Sequence, residues 1–259
     1  EDIAWVITSY AIANVVIIPM TGFLGEYFGR KNYYLGSMIL FGIASYFCGM
    51  SDGLWELVFW RFIQGIGGGA LLSTSQAILF DAFEPEERPM ASGFFGMGII
   101  LGPSLGPVLG GYLVDNFHWS DIFLVNIPIC IIAVILTLVY IDRKEGEGAN
   151  RRNMTIDYPG ILLLMITVGG LQFMLEKGES EDWFDSRLIN ICAFLFVGGL
   201  AAFIYRELNT KQPVVNLRIF QNQTFTMSSI FTLVGGFGLF TSVFVYPIMV
   251  QRINGLTPT

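Results

Sequence analysis

Gly98-Ile99-Ile100-Leu101-Gly102-Pro103-Ser104-Leu105-Gly106-Pro107-Val108-Leu109-Gly110-Gly111 is the stretch whose reading decides the fold. Glycines at 98, 102, 106 and 110 recur every four residues in an apolar run, and Pro103 and Pro107 each follow one of them. A step of four slightly exceeds one 3.6-residue turn, so on a helix these glycines form one bare, gently coiling stripe. In water such a helix would break. In lipid every backbone group must be satisfied within its own segment, so the helix persists and its bare stripe admits a close neighbour. The run predicts a transmembrane helix that packs closely and bends.

The rest of the chain agrees. Of 259 residues, 53% are hydrophobic and 14% charged, with mean hydropathy +0.60, whereas a soluble domain carries roughly 25% charged residues. Charges are missing from Ile3–Gly25, Asn32–Met50, Phe62–Phe80, Pro89–Val114, Ile122–Ile141, Tyr158–Leu175, Leu188–Tyr205 and Ile219–Val250. Each stretch approaches or exceeds the roughly 18–20 residues of a spanning helix. The expected fold is an all-α polytopic membrane protein with eight transmembrane helices. No signal-peptide pattern opens the chain, and both ends interrupt the pattern, so a longer parent protein is expected. Cys48, Cys130 and Cys192 fall in three different spans and share no spacing. They read as small hydrophobes, with no disulfide framework, metal site or cofactor suggested.

Lysine and arginine set the sidedness. Alternate connectors carry Arg30, Lys31, Arg88, Arg143, Lys144, Arg151, Arg152, Arg206, Lys211 and Arg218, against Lys177, Arg187 and Arg252 on the other set. The richer side is expected to be cytoplasmic, and the net charge of −7 matters little to this rule. Trp5, Trp55, Trp60, Trp119 and Trp183 then all fall at outer helix ends, the interfacial position their amphipathic rings prefer. The polar segment 142–157 reads as a cytoplasmic connector. It separates residues 1–141 from a pair of spans in 158–208 and a further bundle beginning in 209–259.

Three segments carry chemistry. Gly22-Phe23-Leu24-Gly25-Glu26-Tyr27-Phe28-Gly29-Arg30-Lys31 joins the first two spans. Its glycines suit a tight turn, and its acid and bases can pair across a seam or cap a helix; an ordinary positive-inside loop is the plainer reading. Arg61 lies inside the third span, in step with Gly65, Gly69 and Ser73. An arginine in the membrane costs several kcal/mol unless it faces a polar cavity or partner. The alternative is an interfacial arginine that snorkels outward beside Trp60. Gly65, Gly67 and Ala70, with Glu84 beyond, match a dinucleotide-binding spacing, but no strand precedes them. His118, the single histidine, reads as an interfacial anchor before a proton relay.

Taken together these segments resemble the major facilitator superfamily. Gly22–Lys31 is similar to its signature loop between the second and third spans, with Glu26 where the family usually has aspartate. Arg61–Gly69 is similar to its fourth-span arginine motif, and Gly102–Gly111 to the Gly-Pro-x-x-x-Gly-Pro-x-x-Gly-Gly motif of its antiporters. Trp5–Tyr10, His118–Pro128, 156–160 and 175–184 resemble the fourteen-span drug:proton antiporters, specifically the EmrB-type multidrug exporters. The resemblance covers essentially the whole chain. It makes the eight helices spans two to nine of fourteen, with 158–208 an inserted pair.

The resemblance implies a proton-coupled exporter of lipophilic drugs in a bacterial cytoplasmic (inner) membrane, working by alternating access and conferring antibiotic resistance. Arg61, Gln64 and Asn14 are the coupling and cavity candidates, joined by Phe94, Phe95 and Met97. Gly22, Gly25, Glu26, Gly29, Arg30 and Lys31 form the cytoplasmic gate motif. Gly98, Gly102, Pro103, Gly106, Pro107, Gly110 and Gly111 form the antiporter helix. The eight charge-free cores hold no acid, so the proton carrier is expected in an upstream first span, paired with Arg61. Implied partners are lipophilic small molecules, protons and the lipid bilayer, with a periplasmic adaptor and outer-membrane channel in a Gram-negative envelope; nucleic acid is not among them. A dedicated exporter of one metabolite, lipid or siderophore is the alternative. A membrane-embedded enzyme is disfavoured, because no nucleophile, base or acid pair clusters in the cores.

Overall fold

Gly29, at φ 83°, is the single residue between the first two helices, in a backbone region that L side chains rarely adopt. The sequence predicts a glycine-dependent turn here, and the chain reverses on this one residue. The computed structural model describes residues 3–142, 156–242 and 249. Its long helices are α1 (Ala4–Phe28), α2 (Arg30–Gly49), α3 (Leu54–Ala82), α4 (Arg88–Asn116), α6 (Asn126–Tyr140), α7 (Tyr158–Lys177), α8 (Arg187–Asn209) and α9 (Gln223–Phe240). A short α5 (Asp121–Leu124) precedes α6. Among the described residues there is no strand. Most of the 142–157 connector, and the end of the last predicted span, lie outside the described residues.

Among the described residues each charge-free stretch is mainly helical. Among them five segments are long and apolar enough to cross a membrane: α1, α4, Asp121–Tyr140, α7 and α8. The apolar runs of α2, α3 and α9 are diluted by glycine, serine, threonine and tyrosine or glutamine. The predicted span 122–141 is interrupted at Val125. Pro128 explains the break, because it has no N–H to offer the Leu124 carbonyl one turn back. Pro19, by contrast, is accommodated within α1.

The chain divides into two compact units, Glu1–Arg88 with Ser120–Asn216, and Pro89–Trp119 with Leu217–Thr259. In the first, α3 packs against α1 and α2, α6 against α2, and the α7–α8 hairpin against α1. Glycine makes the α3 contacts close enough. A Cβ at Gly65 would lie 2.5 Å from the Tyr10 carbonyl oxygen, and one at Gly69 2.7 Å from that of Asn14. On another face of α3, a Cβ at Gly67 would lie 2.8 Å from the Phe41 nitrogen. The small-residue stripe through Arg61, Gly65 and Gly69 is thus the seam with α1.

Val16 and Met20 of α1, Leu164 of α7, Phe203 of α8 and Val214 beyond α8 form one apolar cluster. In the α7–α8 connection, the Trp183 ring covers Gly178, where a Cβ would sit 2.6 Å from the ring. Elsewhere α6 exposes Ile129, Ile132 and Val139, as a helix facing lipid does. Within the second unit, Asn222 caps α9 by accepting from the Thr224 and Phe225 amides.

Candidate functional site

Arg61 is half-buried, and it bends back into the bundle instead of outward beside Trp60. Its Nε donates to the Val6 carbonyl of α1 at 3.1 Å, and its Nη1 to Gln64 Oε1 at 2.7 Å. Its guanidinium lies 4.5 Å from the centre of the Tyr10 ring and 5.6 Å from that of Phe123. Gln64 is 1% exposed and passes the chain of bonds on, its Nε2 donating to Ser45 Oγ of α2 at 2.6 Å. Spacing alone places Arg61 and Gln64 on neighbouring turns of one helix. The structure adds Val6 and Ser45, which no local sequence signal marks. Trp60 is occupied otherwise, stacked on Phe47 at 4.2 Å.

Asn14, the third coupling candidate, stands one α1 turn below Tyr10. Its carbonyl faces Gly69, and its amide nitrogen would lie 3.3 Å from a Cβ at Gly68. The structure therefore brings Asn14, Arg61 and Gln64 to the same three-helix contact.

Around the Gly29 turn, Arg30 pairs with Asp81, the penultimate residue of α3. Lys31 Nζ donates to the Leu138 carbonyl of α6 at 3.3 Å. Glu26 lines a different feature, a cavity of about 430 Å³ that it shares with Gly22, Gln212, Pro213, Val214 and Asn216. The Gly22–Lys31 segment thus bonds to α3 and α6 and lines a cavity with the segment after α8. Gly25 carries the Arg30 stem, which would lie 3.7 Å from an added Cβ.

Two acids just outside the charge-free cores are also brought inward. Glu176, in the last turn of α7, accepts from the Thr8 hydroxyl of α1 at 2.5 Å and from Gln172 Nε2 at 3.3 Å. Lys177 beside it lies 5.4 Å from the centre of the Trp5 ring. Asp157 caps α7 by accepting from the Gly160 amide at 3.1 Å. It also receives Arg206 Nε at 2.9 and 3.1 Å and Nη2 at 2.7 Å. Burial alone pushes the Asp157 carboxyl up, but Arg206 and the Gly160 amide outweigh it and hold the carboxyl below its ordinary value.

The glycine ladder lies on α4, in the second unit. The helix runs unbroken through positions 103 and 107. Among the described residues of this unit nothing lies within 4 Å of a Cβ at Gly98, Gly102, Gly106, Gly110 or Gly111. Phe94 and Met97 are exposed on the same helix, and His118 follows it, with its ring 5.6 Å from that of Trp119.

Long apolar helices packed through glycines around a polar-held arginine mark a polytopic membrane protein, and sequence comparison gives its family. The Major Facilitator Superfamily model matches residues 1–259, and the chain belongs to this family. It is 38% identical over 98% of its length to the multidrug export protein EmrB of Escherichia coli strain K12, of which the match covers 49%. It is 37% identical over 98% of its length to the fatty acid resistance protein FarB of Neisseria gonorrhoeae, covering 49% of that protein. Multidrug resistance protein 3 of Bacillus subtilis strain 168 is 36% identical over 100% of this chain and is 50% covered. The chain spans about half the length of the curated relatives it matches. It is part of a multi-pass membrane protein.

Proposed function

We propose that the protein exports lipophilic toxic compounds across the bacterial cytoplasmic membrane in exchange for protons, by alternating access. The observation that carries this reading is Arg61, a cation inside α3 held by a carbonyl, an amide and two rings. Neutral partners satisfy its hydrogen bonds without cancelling its charge. A carboxyl entering or leaving its field would therefore change protonation as it moves. The likeness to the multidrug export protein EmrB supports drugs as the cargo.

The supporting parts have separate roles. Residues 1–141 supply the bundle that holds Arg61, Gln64 and Asn14. Arg30 with Asp81, and Lys31 with Leu138, tie the cytoplasmic ends of α2, α3 and α6 while the transporter opens outward. Pro103, Pro107 and the α4 glycines supply a flexible, closely packing face for the second bundle that begins in 209–259. Residues 158–208 are an inserted pair, and 142–157 the connector. In a Gram-negative envelope an adaptor and an outer-membrane channel complete the route.

A second reading, a dedicated exporter of one lipid-like compound, is favoured by the likeness to the fatty acid resistance protein FarB. Accumulation of several unrelated lipophilic dyes and of a long-chain fatty acid, in cells carrying the full-length protein, tests both. Gradient-dependent exclusion of the varied dyes supports the multidrug reading. Exclusion of the fatty acid alone supports the dedicated one, and gradient-independent accumulation of every compound rejects proton-driven export.

A further inference from the structure

Glu207 stands in the last turn of α8, 2% exposed. Its Oε2 accepts from the Val215 amide at 3.2 Å, and the Val214 amide also faces the carboxyl. Its Oε1 is fully buried and has no hydrogen-bond partner among the described residues. Gly160 explains how a second acid comes so close. A Cβ there would lie 2.6 Å from Asp157 Oδ2 and 3.0 Å from Glu207 Oε1, so only a bare α-carbon lets the two carboxyls face each other. Among the described residues Arg206 is the cation of the group, and its Nε and Nη2 both reach Asp157.

Two ionised carboxylates beside one half-exposed guanidinium would leave a net negative charge on buried oxygens, and like charges at close quarters resist ionising together. A single proton removes that charge. Placed on Glu207 Oε1, it also turns the unpartnered acceptor into a donor, with Asp157 Oδ2 the carboxylate oxygen beside the same Gly160 α-carbon. Asp157 is the poorer recipient, because Arg206 and the Gly160 amide favour its ionised form.

We propose that Glu207, facing Asp157 across Gly160, is a proton-binding site that fastens residues 210–216 to the α7–α8 hairpin. The groups facing it are Asp157 before α7, Arg206 on α8 and the amides of Val214 and Val215. On α1 the nearby acid is Glu26, which lines the cavity behind Val214. The same Val214 sits in the apolar cluster with Val16, Met20, Leu164 and Phe203. Loss of the proton leaves an uncompensated buried charge, which is relieved when the end of α8 opens and draws Val214 out of that cluster. This segment leads into α9, so the proton on Glu207 sets how firmly the chain is anchored just before it. The site stands whatever the cargo.

Two measurements on the full-length protein in lipid nanodiscs test this. Dicyclohexylcarbodiimide adds to protonated carboxyls in apolar surroundings, and peptide mass spectrometry locates the adduct in the unmutated protein. The expected result is an adduct on Glu207 whose yield falls as pH rises, with Asp157 unmodified. No adduct on Glu207 at any pH, a yield that does not fall, or an adduct on Asp157 instead would overturn the proposal. In the second, Val214→Cys, at the position buried in the apolar cluster, is labelled with a maleimide after replacement of the native cysteines, with rates normalised to Ser180→Cys on the outer loop. Labelling is expected to rise several-fold with pH when Glu207 is present and to stay flat in E207Q, whose amide donates to Asp157 as the protonated acid does. The same pH profile with and without E207Q contradicts it.

Discussion

Gln64 donates to the Ser45 hydroxyl at 2.6 Å while accepting from Arg61, so one buried amide joins the charge on α3 to the wall of α2. Replacing it with leucine keeps the bulk but strands a guanidinium nitrogen and a hydroxyl. Leaving buried polar groups unpaired costs about 1–3 kcal/mol. Gln64→Leu is expected to lower the thermal unfolding midpoint of the purified protein, while Gln64→Glu, which can still accept from Arg61, loses less. Equal midpoints for Gln64→Leu and the unmutated protein would remove the network from the account.

Arg61→Lys tests geometry against charge. A lysine keeps the charge, but its compact ammonium cannot reproduce the planar fork that reaches Val6 and Gln64 together. Proton-coupled efflux by full-length Arg61→Lys is expected to fall several-fold, and by Arg61→Ala to background, with both variants present in the membrane at normal levels. Full efflux in Arg61→Ala would exclude a coupling role.

The glycines of α3 predict a position-specific packing cost. Gly65→Ala puts a methyl 2.5 Å from the Tyr10 carbonyl oxygen, against main chain that cannot step aside. Overpacking of this kind costs typically about 1–3 kcal/mol. Gly36→Ala on α2 meets nothing within 4 Å and is expected to be neutral or slightly stabilising. Melting curves of the two variants decide it: similar behaviour would argue against the close α1–α3 seam.

These residues also mark how far the sequence is readable. The helices follow from charge-free runs, the turn at Gly29 from its glycine and neighbouring charges, and Arg61 from its isolation in an apolar segment. What Arg61 touches does not follow, because Val6 and Ser45 lie far away in sequence and carry no special signal. Asp81, Glu176 and Glu207 are similarly hidden. Each stands at the flank of an apolar run, where an acid looks like ordinary interfacial polarity, and only the packing of α7 and α8 against α1 turns two of them inward. The ladder on α4 is the plainest packing signal, yet the glycines seen in close contact lie elsewhere, among them Gly65, Gly67 and Gly69. Periodicity identifies a bare face and leaves open what meets it.

Asp157 gives a pH dependence with a definite sign. Its carboxyl is held below its ordinary value, so its contribution is complete above about pH 3.9 and drains away as the pH falls through the lower folded value. Asp157→Asn is expected to lower the unfolding midpoint at neutral pH, with the gap to the unmutated protein closing in acid. A gap that does not change with pH would mean that the Arg206 pairing contributes nothing to folding.

Arg30 and Asp81 are both partly exposed, with side chains 39% and 25% accessible, so their pairing is worth only about 0.2–1 kcal/mol to stability. If they act as a latch, the effect appears in transport. Arg30→Asp and Asp81→Arg are each expected to impair efflux with little change in melting, and the charge-swapped double variant to recover part of it. Glu26→Gln is expected to impair efflux in the same way through the cavity it lines with the segment after α8. Single variants with normal efflux would dismiss the latch.

The central claim is that a proton gradient drives expulsion of lipophilic compounds, and transport by the full-length protein in sealed proteoliposomes measures it most directly. An imposed pH gradient should drive a lipophilic dye against its own concentration, and dye movement without the gradient should alkalinise or acidify the lumen in proportion. Arg61→Ala should abolish both signals. Dye transport that ignores the pH gradient and moves no protons would contradict the account.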